Sequence, residues 1–343
     1  MFHKVSQMKN TEGLLSYELK TLGQNIDQSG DPLGFKKPYW TDWCREEAFS
    51  RTKKNLLFTG RMYQMLPYIM QTTQMVPFIK PLVSKKTLRP LVDIGNRVAG
   101  EPVIRWKAGF HRQFKQRCEH VLQGVAGALK SQGKKFSYLF EEEPYSGVLL
   151  YDLGLVEQVE PHIRKVSSLF ARYGVERIVT LDPHSTFMLR SVYPEIIGDL
   201  NFEVKHYAEI LAEEDFSIDS AYRSDLPGKV VIHDSCIMTR ELAIEQEPRT
   251  VLDKLDIRFE ESSSYGRDTA CCGGPVEYAF PKLSQNIARA RVKELREISS
   301  DIVVNCPICY LNFVHHEQDL GVRIWDLGEL LHKVFCNSGN KCL

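Results

Sequence analysis

Asp301-Ile302-Val303-Val304-Asn305-Cys306-Pro307-Ile308-Cys309 decides how this chain is read. Three consecutive β-branched residues predict a buried strand. The Cys-Pro-x-Cys that follows puts two thiols on the turn at the strand's carboxyl end, the usual ligand-binding rim of an open α/β sheet. Upstream, Lys229-Val-Val-Ile-His233 predicts another strand that runs into Cys236, and Cys271-Cys272-Gly273-Gly274 lies between the two. Five of the nine cysteines therefore fall between Cys236 and Cys309. A thiol array of this density points to a metal or cluster site.

The strands alternate with helical patterns. Val159, Ile163, Val166 and Phe170 recur at helical spacing before Gly174, and Arg177-Ile-Val-Thr180 follows as a strand. Pro281 opens a helix with Leu283, Ile287, Ala290 and Leu295 expected on its buried face. This alternation implies parallel sheets flanked by helices, an α/β fold. The pattern also repeats. Arg177-Ile-Val-Thr-Leu-Asp182-Pro183-His184-Ser185 aligns with residues 301–309, and Val204 to Leu211 aligns with Ile324 to Leu331. Asn55 to Arg61 aligns with Val230 to Cys236. The expectation is two pseudo-repeated α/β halves at 51–216 and 229–335, with a break near Ser217 to Gly228. The first carries a helical insertion over 104–135, and residues 1–50, polar and without clear period, are expected to form an extended arm.

Bulk composition removes several classes. Lys plus Arg equals Asp plus Glu at 44 each, so no global field draws the chain to nucleic acid. The first residues lack the apolar core of a secretory signal. The longest apolar candidate for a membrane span, Met65 to Val83, is broken by Pro67, Pro77, Lys80 and Pro81. A cytoplasmic chain with reduced thiols is the expectation. The methionines at 62, 65, 70 and 75 suit a soft packing surface. The basic residues Arg105, Lys107, His111, Arg112, Lys115 and Arg117 suit a solvated face, or docking to an acidic partner.

Three kinds of site use thiolates at this density. A structural zinc site takes four ligands, typically from two separated knuckles, and five thiols with an adjacent pair fit it poorly. Disulfides are disfavoured in a reducing compartment. An iron–sulfur cluster accommodates five, because each thiolate can cap a different iron. Cys44, Cys118, Cys336 and Cys342 are expected to stand apart from the site, the last two in a frayed polar tail. His233 and Arg240 are candidate catalytic residues: His233 as a hydrogen-bonding partner of a cluster sulfur or substrate, or a core histidine; Arg240 as a counter-charge to thiolates, or a surface ion pair.

His233-Asp-Ser-Cys236, Arg240, Pro248-Arg249, Cys271-Cys-Gly-Gly274, Phe280-Pro281 and Cys306-Pro-Ile-Cys309 resemble the cysteine-rich CCG domain over residues 229 to 331. That domain belongs to heterodisulfide reductase subunits of the B and D type and to iron–sulfur subunits of glycolate and lactate oxidases. The resemblance implies a noncubane [4Fe-4S] cluster held by Cys236, Cys271, Cys272, Cys306 and Cys309, with zinc as the alternative cofactor. It further implies an oxidoreductase subunit acting on a disulfide or other sulfur-bearing substrate, with ferredoxin-like and flavoprotein partner subunits. The alternatives are an electron relay in a 2-hydroxy-acid dehydrogenase or quinone-linked complex, and a zinc-stabilised scaffold. Asp31-Pro-Leu-Gly34 to Trp43 is similar to the linker that joins ferredoxin and CCG portions in such proteins, while ferredoxin cysteine runs are absent from this sequence. The first half resembles a second CCG domain without its ligands: Arg61 stands at the first cysteine, Tyr151 to Gly154 near the Cys-Cys-Gly position, and Asp182-Pro-His184-Ser185 replaces Cys-Pro-x-Cys.

Overall fold

A computed structural model describes residues 14–35, 37–45, 49–50, 52–70, 101–218 and 220–336. Met75, Cys342 and most of the Met65–Val83 stretch lie outside the described residues.

Two all-parallel sheets form. The first contains β1 (Asn55–Phe58), β2 (Arg177–Thr180) and β3 (Glu203–His206) in the order β1-β2-β3. The second contains β4 (Lys229–Ile232), β5 (Arg258–Glu260), β6 (Asp301–Val304) and β7 (Arg323–Asp326) in the order β5-β4-β6-β7. The central strands β4 and β6 each bury three consecutive apolar residues, as strands covered on both faces must.

The repeat expected from sequence is present in the backbone. Asp182 and Cys306 are extended N-cap residues at the carboxyl ends of β2 and β6, and Pro183 and Pro307 open the following helices. β3 and β7 end on His206 and Asp326, and each caps its helix in a reciprocal box with Glu209 or Glu329. The pairs Asp182/Cys306 and His206/Asp326 are the ones that the sequence alignment matches.

The helical insertion joins the halves. Its Arg112–Ser131 helix lies against the Leu327–Phe335 helix of the second half. A Cβ added to Gly124 would come 2.1 Å from the Gly328 carbonyl oxygen, so the two backbones meet with no side chain between them. One apolar core therefore runs from Val121, Val125 and Leu129 to Leu327, Leu330 and Leu331 and on to the second sheet. A second core fills the first half. Two residues of the insertion's basic face are used internally. Arg117 pairs with Glu317 and Glu329 at 2.9 Å each and lies over the Tyr310 ring, and Lys115 pairs with Asp42.

Three expectations need correction. The N-terminal segment is not wholly extended: Leu14–Ser29 is a helix, and Ile26, Phe35, Tyr39 and Trp40 are buried in the first half's core. The Pro281–Arg296 helix exists, but it buries Ser284, Ala288, Arg291, Val292 and Leu295, whereas Leu283 is 48% exposed. Arg291 occupies the buried stripe because its guanidinium is satisfied by Ser262, Ser264 and His233, a compensation invisible to apolar periodicity. Finally, Cys336 is not in a frayed tail: it is the C-cap of the Leu327–Phe335 helix, and Phe335 beside it packs on Phe216.

Candidate metal centre

The second half brings its five cysteines to one rim. Cys236 opens the Cys236–Arg240 helix after β4. Cys306 caps the Pro307–Val314 helix after β6, and Cys309 lies in that helix's first turn. Cys271 and Cys272 arrive on the loop ahead of Gly273, which is left-handed at φ +89°. Cys272, Cys306 and Cys309 are buried, Cys236 is half-buried and Cys271 is exposed.

Electrostatic interactions link these groups. Cys272 interacts with Cys271, Cys309 and His233. Cys309 also interacts with Cys306, whose sulfur lies 3.3 Å from His184 Nε2. Cys236 stands within electrostatic reach of Cys306 and Cys272. The interaction with Cys272 above all holds the Cys271 and Cys309 thiols well above the ordinary range. Cys272 is held well below it, chiefly by Cys271 and then by Cys309. Burial alone would raise Cys306, but interactions with Cys309 and His184 outweigh burial and hold it low. Burial pushes Cys236 up to about 11.

Among the described residues no three His, Cys, Asp or Glu side chains surround a single metal ion. Four-coordinate zinc needs a convergence of that kind. A multi-atom iron–sulfur core, in which separate thiolates meet separate irons, suits the donor set better.

The glycines of Cys271-Cys-Gly-Gly274 are needed for close packing of the loop. A Cβ on Gly273 would meet the Ser284 carbonyl at 2.6 Å, and one on Gly274 would meet Ile308 Cγ2 at 2.2 Å and Cys272 Sγ at 3.5 Å. They seat the loop on the Pro281–Arg296 helix and on the Cys-Pro-Ile-Cys turn. The Gly273 N–H also donates to Cys271 Sγ at 3.3 Å.

His233 is buried, and its Nδ1 accepts from Arg291 Nε at 3.3 Å. Arg240 makes no carboxylate pair. It donates to the carbonyls of Arg267 and Thr269 at 2.8 and 2.6 Å, bracing the loop that delivers Cys271. Arg249 is fully used structurally, bidentate to Asp234 at 2.9 and 2.8 Å and paired with Glu261. Asp234 also accepts from Gly266 N at 2.7 Å, fixing the same loop.

In the first half, Arg61 ends up where Cys236 does in the second, just past its strand and at φ +62°. Its guanidinium pairs with buried Asp31 at 3.2 Å, stacks 3.5 Å from the Trp40 ring centre and donates to the Glu143 carbonyl. Asp182 and His184 do not form a metal site of their own. Asp182 Oδ1 accepts from Ser185 N at 2.9 Å, and His184 turns instead to Cys306. Burial would lower His184, but Cys306 and then Asp152 and Asp182 outweigh it and hold the imidazole up to about 10. Sequence reasoning did not bring His184 to the cysteines. The repeat alignment, which sets it opposite Ile308, is the signal that could have pointed to the rim. Glu277, raised to about 7 by burial and by Cys272, was missed outright; only its nearness to the Cys-Cys-Gly-Gly run marked it.

Among the described residues no helix is long and apolar enough to cross a membrane. The chain is 28% identical over 66% of its length to EtfAB:quinone oxidoreductase of Syntrophomonas wolfei, covering 33% of that protein. It is 30% identical over 58% of its length to the D-type subunit of the dihydromethanophenazine:CoB–CoM heterodisulfide reductase of Methanosarcina mazei, covering 50% of it. To a probable iron–sulfur-binding oxidoreductase of Bacillus subtilis it is 26% identical over 94% of its length, covering 41% of that protein. The chain thus spans between a third and a half of these relatives. The stretch that carries all five cysteines matches one family throughout: residues 230–314 match the model of the cysteine-rich CCG domain.

Proposed function

We propose that this chain is an iron–sulfur oxidoreductase subunit whose cluster is held by Cys236, Cys271, Cys272, Cys306 and Cys309. The gathering of five cysteines at one rim, with Cys236 and Cys306 just past the carboxyl ends of β4 and β6, carries this reading. Binding a cationic core to thiols releases their protons. Bound there, a cluster supplies one-electron transfer. The residues around it do the rest. Arg240 and Asp234 hold the Cys271 loop, and Gly273 N–H donates to the Cys271 sulfur.

The finer reading is a noncubane [4Fe-4S] cluster in a heterodisulfide-reductase-like complex, working on a thiol, disulfide or other sulfur-bearing substrate with ferredoxin-like and flavoprotein partners. It is supported by five cysteines where a cubane needs four, and by the similarity to the D-type subunit of a heterodisulfide reductase. A relay role has one observation in its favour: Cys271 is exposed, and Phe280 close by in the chain is 61% exposed, so one edge of the site faces a surface that another redox protein can approach.

Anaerobic purification followed by iron and sulfide analysis tests the proposal. The wild type is expected to carry close to four irons per chain and an oxidised paramagnetic signal, both lost in Cys272→Ser and both kept in Cys44→Ser. A protein with one zinc and no iron, or equal losses in the two variants, refutes it.

A further inference from the structure

The half that lost its cysteines still reaches the cysteine site through one side chain. We infer that His184 is a positioning residue of that site, donating a hydrogen bond from Nε2–H to the Cys306 sulfur and tuning the cluster that this sulfur would hold. The inference rests on the iron–sulfur reading above.

The contact is 3.3 Å long and joins residues 122 positions apart, one from each half. It is held from several sides. Asp182 Oδ1 caps the helix through Ser185 N, and Thr186 Oγ1 lies 2.7 Å from both the Asp182 carbonyl and Thr180 Oγ1. Ser185 is seated on Gly60 so closely that a Cβ there would come 1.9 Å from its Oγ. The Pro183–Phe187 helix packs on the Cys236–Arg240 helix of the other half. Together these leave the imidazole no freedom to drift along the rim.

The pseudo-repeat gives the contact its logic. His184 is the counterpart of Ile308, the residue between the two cysteines of Cys-Pro-Ile-Cys. Ile308 crosses in the opposite direction and packs against the first half's core. Each half therefore sends the same position of the same turn into the other. In one direction the exchange is apolar; in the other it delivers an N–H to a sulfur. Hydrogen bonds to cluster sulfurs favour the more negative, reduced state and raise the potential.

The full chain, prepared anaerobically as wild type, His184→Leu and His184→Gln, tests this by iron content and by potentiometric titration followed by paramagnetic resonance. The expected result is equal iron in all three. His184→Leu is then shifted to lower potential by roughly tenfold in the one-electron equilibrium, about 59 mV. His184→Gln, which keeps an N–H, recovers most of that shift. Loss of iron from His184→Leu alone also supports a donor that stabilises Cys306. A wild-type potential in His184→Leu at full iron, an equal shift in both variants, or iron loss from both overturns the inference while leaving the cluster assignment standing. An iron-free wild type overturns both together.

Discussion

The two halves share one plan and differ at the ends of their strands. Past β4 and β6 the second half places thiols; past β1 and β2 the first places Arg61 and Asp182. What fills the equivalent of the cysteine rim in the first half is polar and saturated. Asp31 accepts from Arg61, from Tyr39 Oη at 2.9 Å and from Leu33 N at 3.0 Å, and Trp40 covers the guanidinium. The second half's rim has the opposite character, with Cys271 exposed and its thiols interacting electrostatically with one another. Thiols of this kind can exchange partners. The saturated groups of the first half's rim cannot.

Breaking that closure should have the largest effect. Arg61→Met leaves the Asp31 carboxylate buried without its counter-charge and should destabilise the fold by about 3–5 kcal/mol. Asp31→Asn added to it should restore part of the loss. Chemical denaturation of the two variants checks this, and equal midpoints for Arg61→Met and wild type would mean that the pair does not lock the first half.

A smaller effect concerns Glu143, which accepts from Thr59 N at 2.6 Å and Tyr138 Oη at 2.5 Å but is lifted to about 7 by burial. A carboxyl raised in the folded state binds its proton more tightly there than in the unfolded chain. The stability it contributes is present below the unfolded value of about 4.5 and is lost as pH rises to about 7. Glu143→Gln should flatten that fall, as read by melting temperature across the same interval; an unchanged slope would assign the pH dependence elsewhere.

The smallest effect on stability is expected at the surface beside the cysteines. Phe280→Ser should change folding stability by less than about 0.5 kcal/mol. If this edge is where electrons pass, the substitution should nonetheless slow reduction of the cluster by a small redox protein. Unchanged reduction kinetics would locate the exchange at another face.

Much of this architecture was legible in the chain. Ile302-Val303-Val304 and Val230-Val231-Ile232 are short apolar runs that only a covered strand accommodates, and each leads to a cysteine within four residues. The repeat was legible because N-caps and capping boxes are local chemistry: Glu209 and Glu329 answer His206 and Asp326 within a single turn. What escaped depended on distant partners. The buried stripe of the Pro281–Arg296 helix is offset because Arg291 finds Ser262, Ser264 and His233, none of them a helical neighbour. The destination of His184 was hidden for the same reason, since Cys306 comes beside it only after the two sheets are brought together. The helix at Leu14–Ser29 was lost in a polar composition whose few apolar residues find their partners elsewhere in the first half.

The meeting of Gly124 with Gly328 bears on how the chain assembles. A helix from the middle of the first repeat forms one wall of the second repeat's interior, and Arg117 fastens it to carboxylates 200 and 212 positions later. The second repeat therefore cannot complete its interior without the first, whereas the first has a core of its own. Despite their duplicate plan, the lobes are unequal in this respect: order in the second depends on a wall that the first supplies.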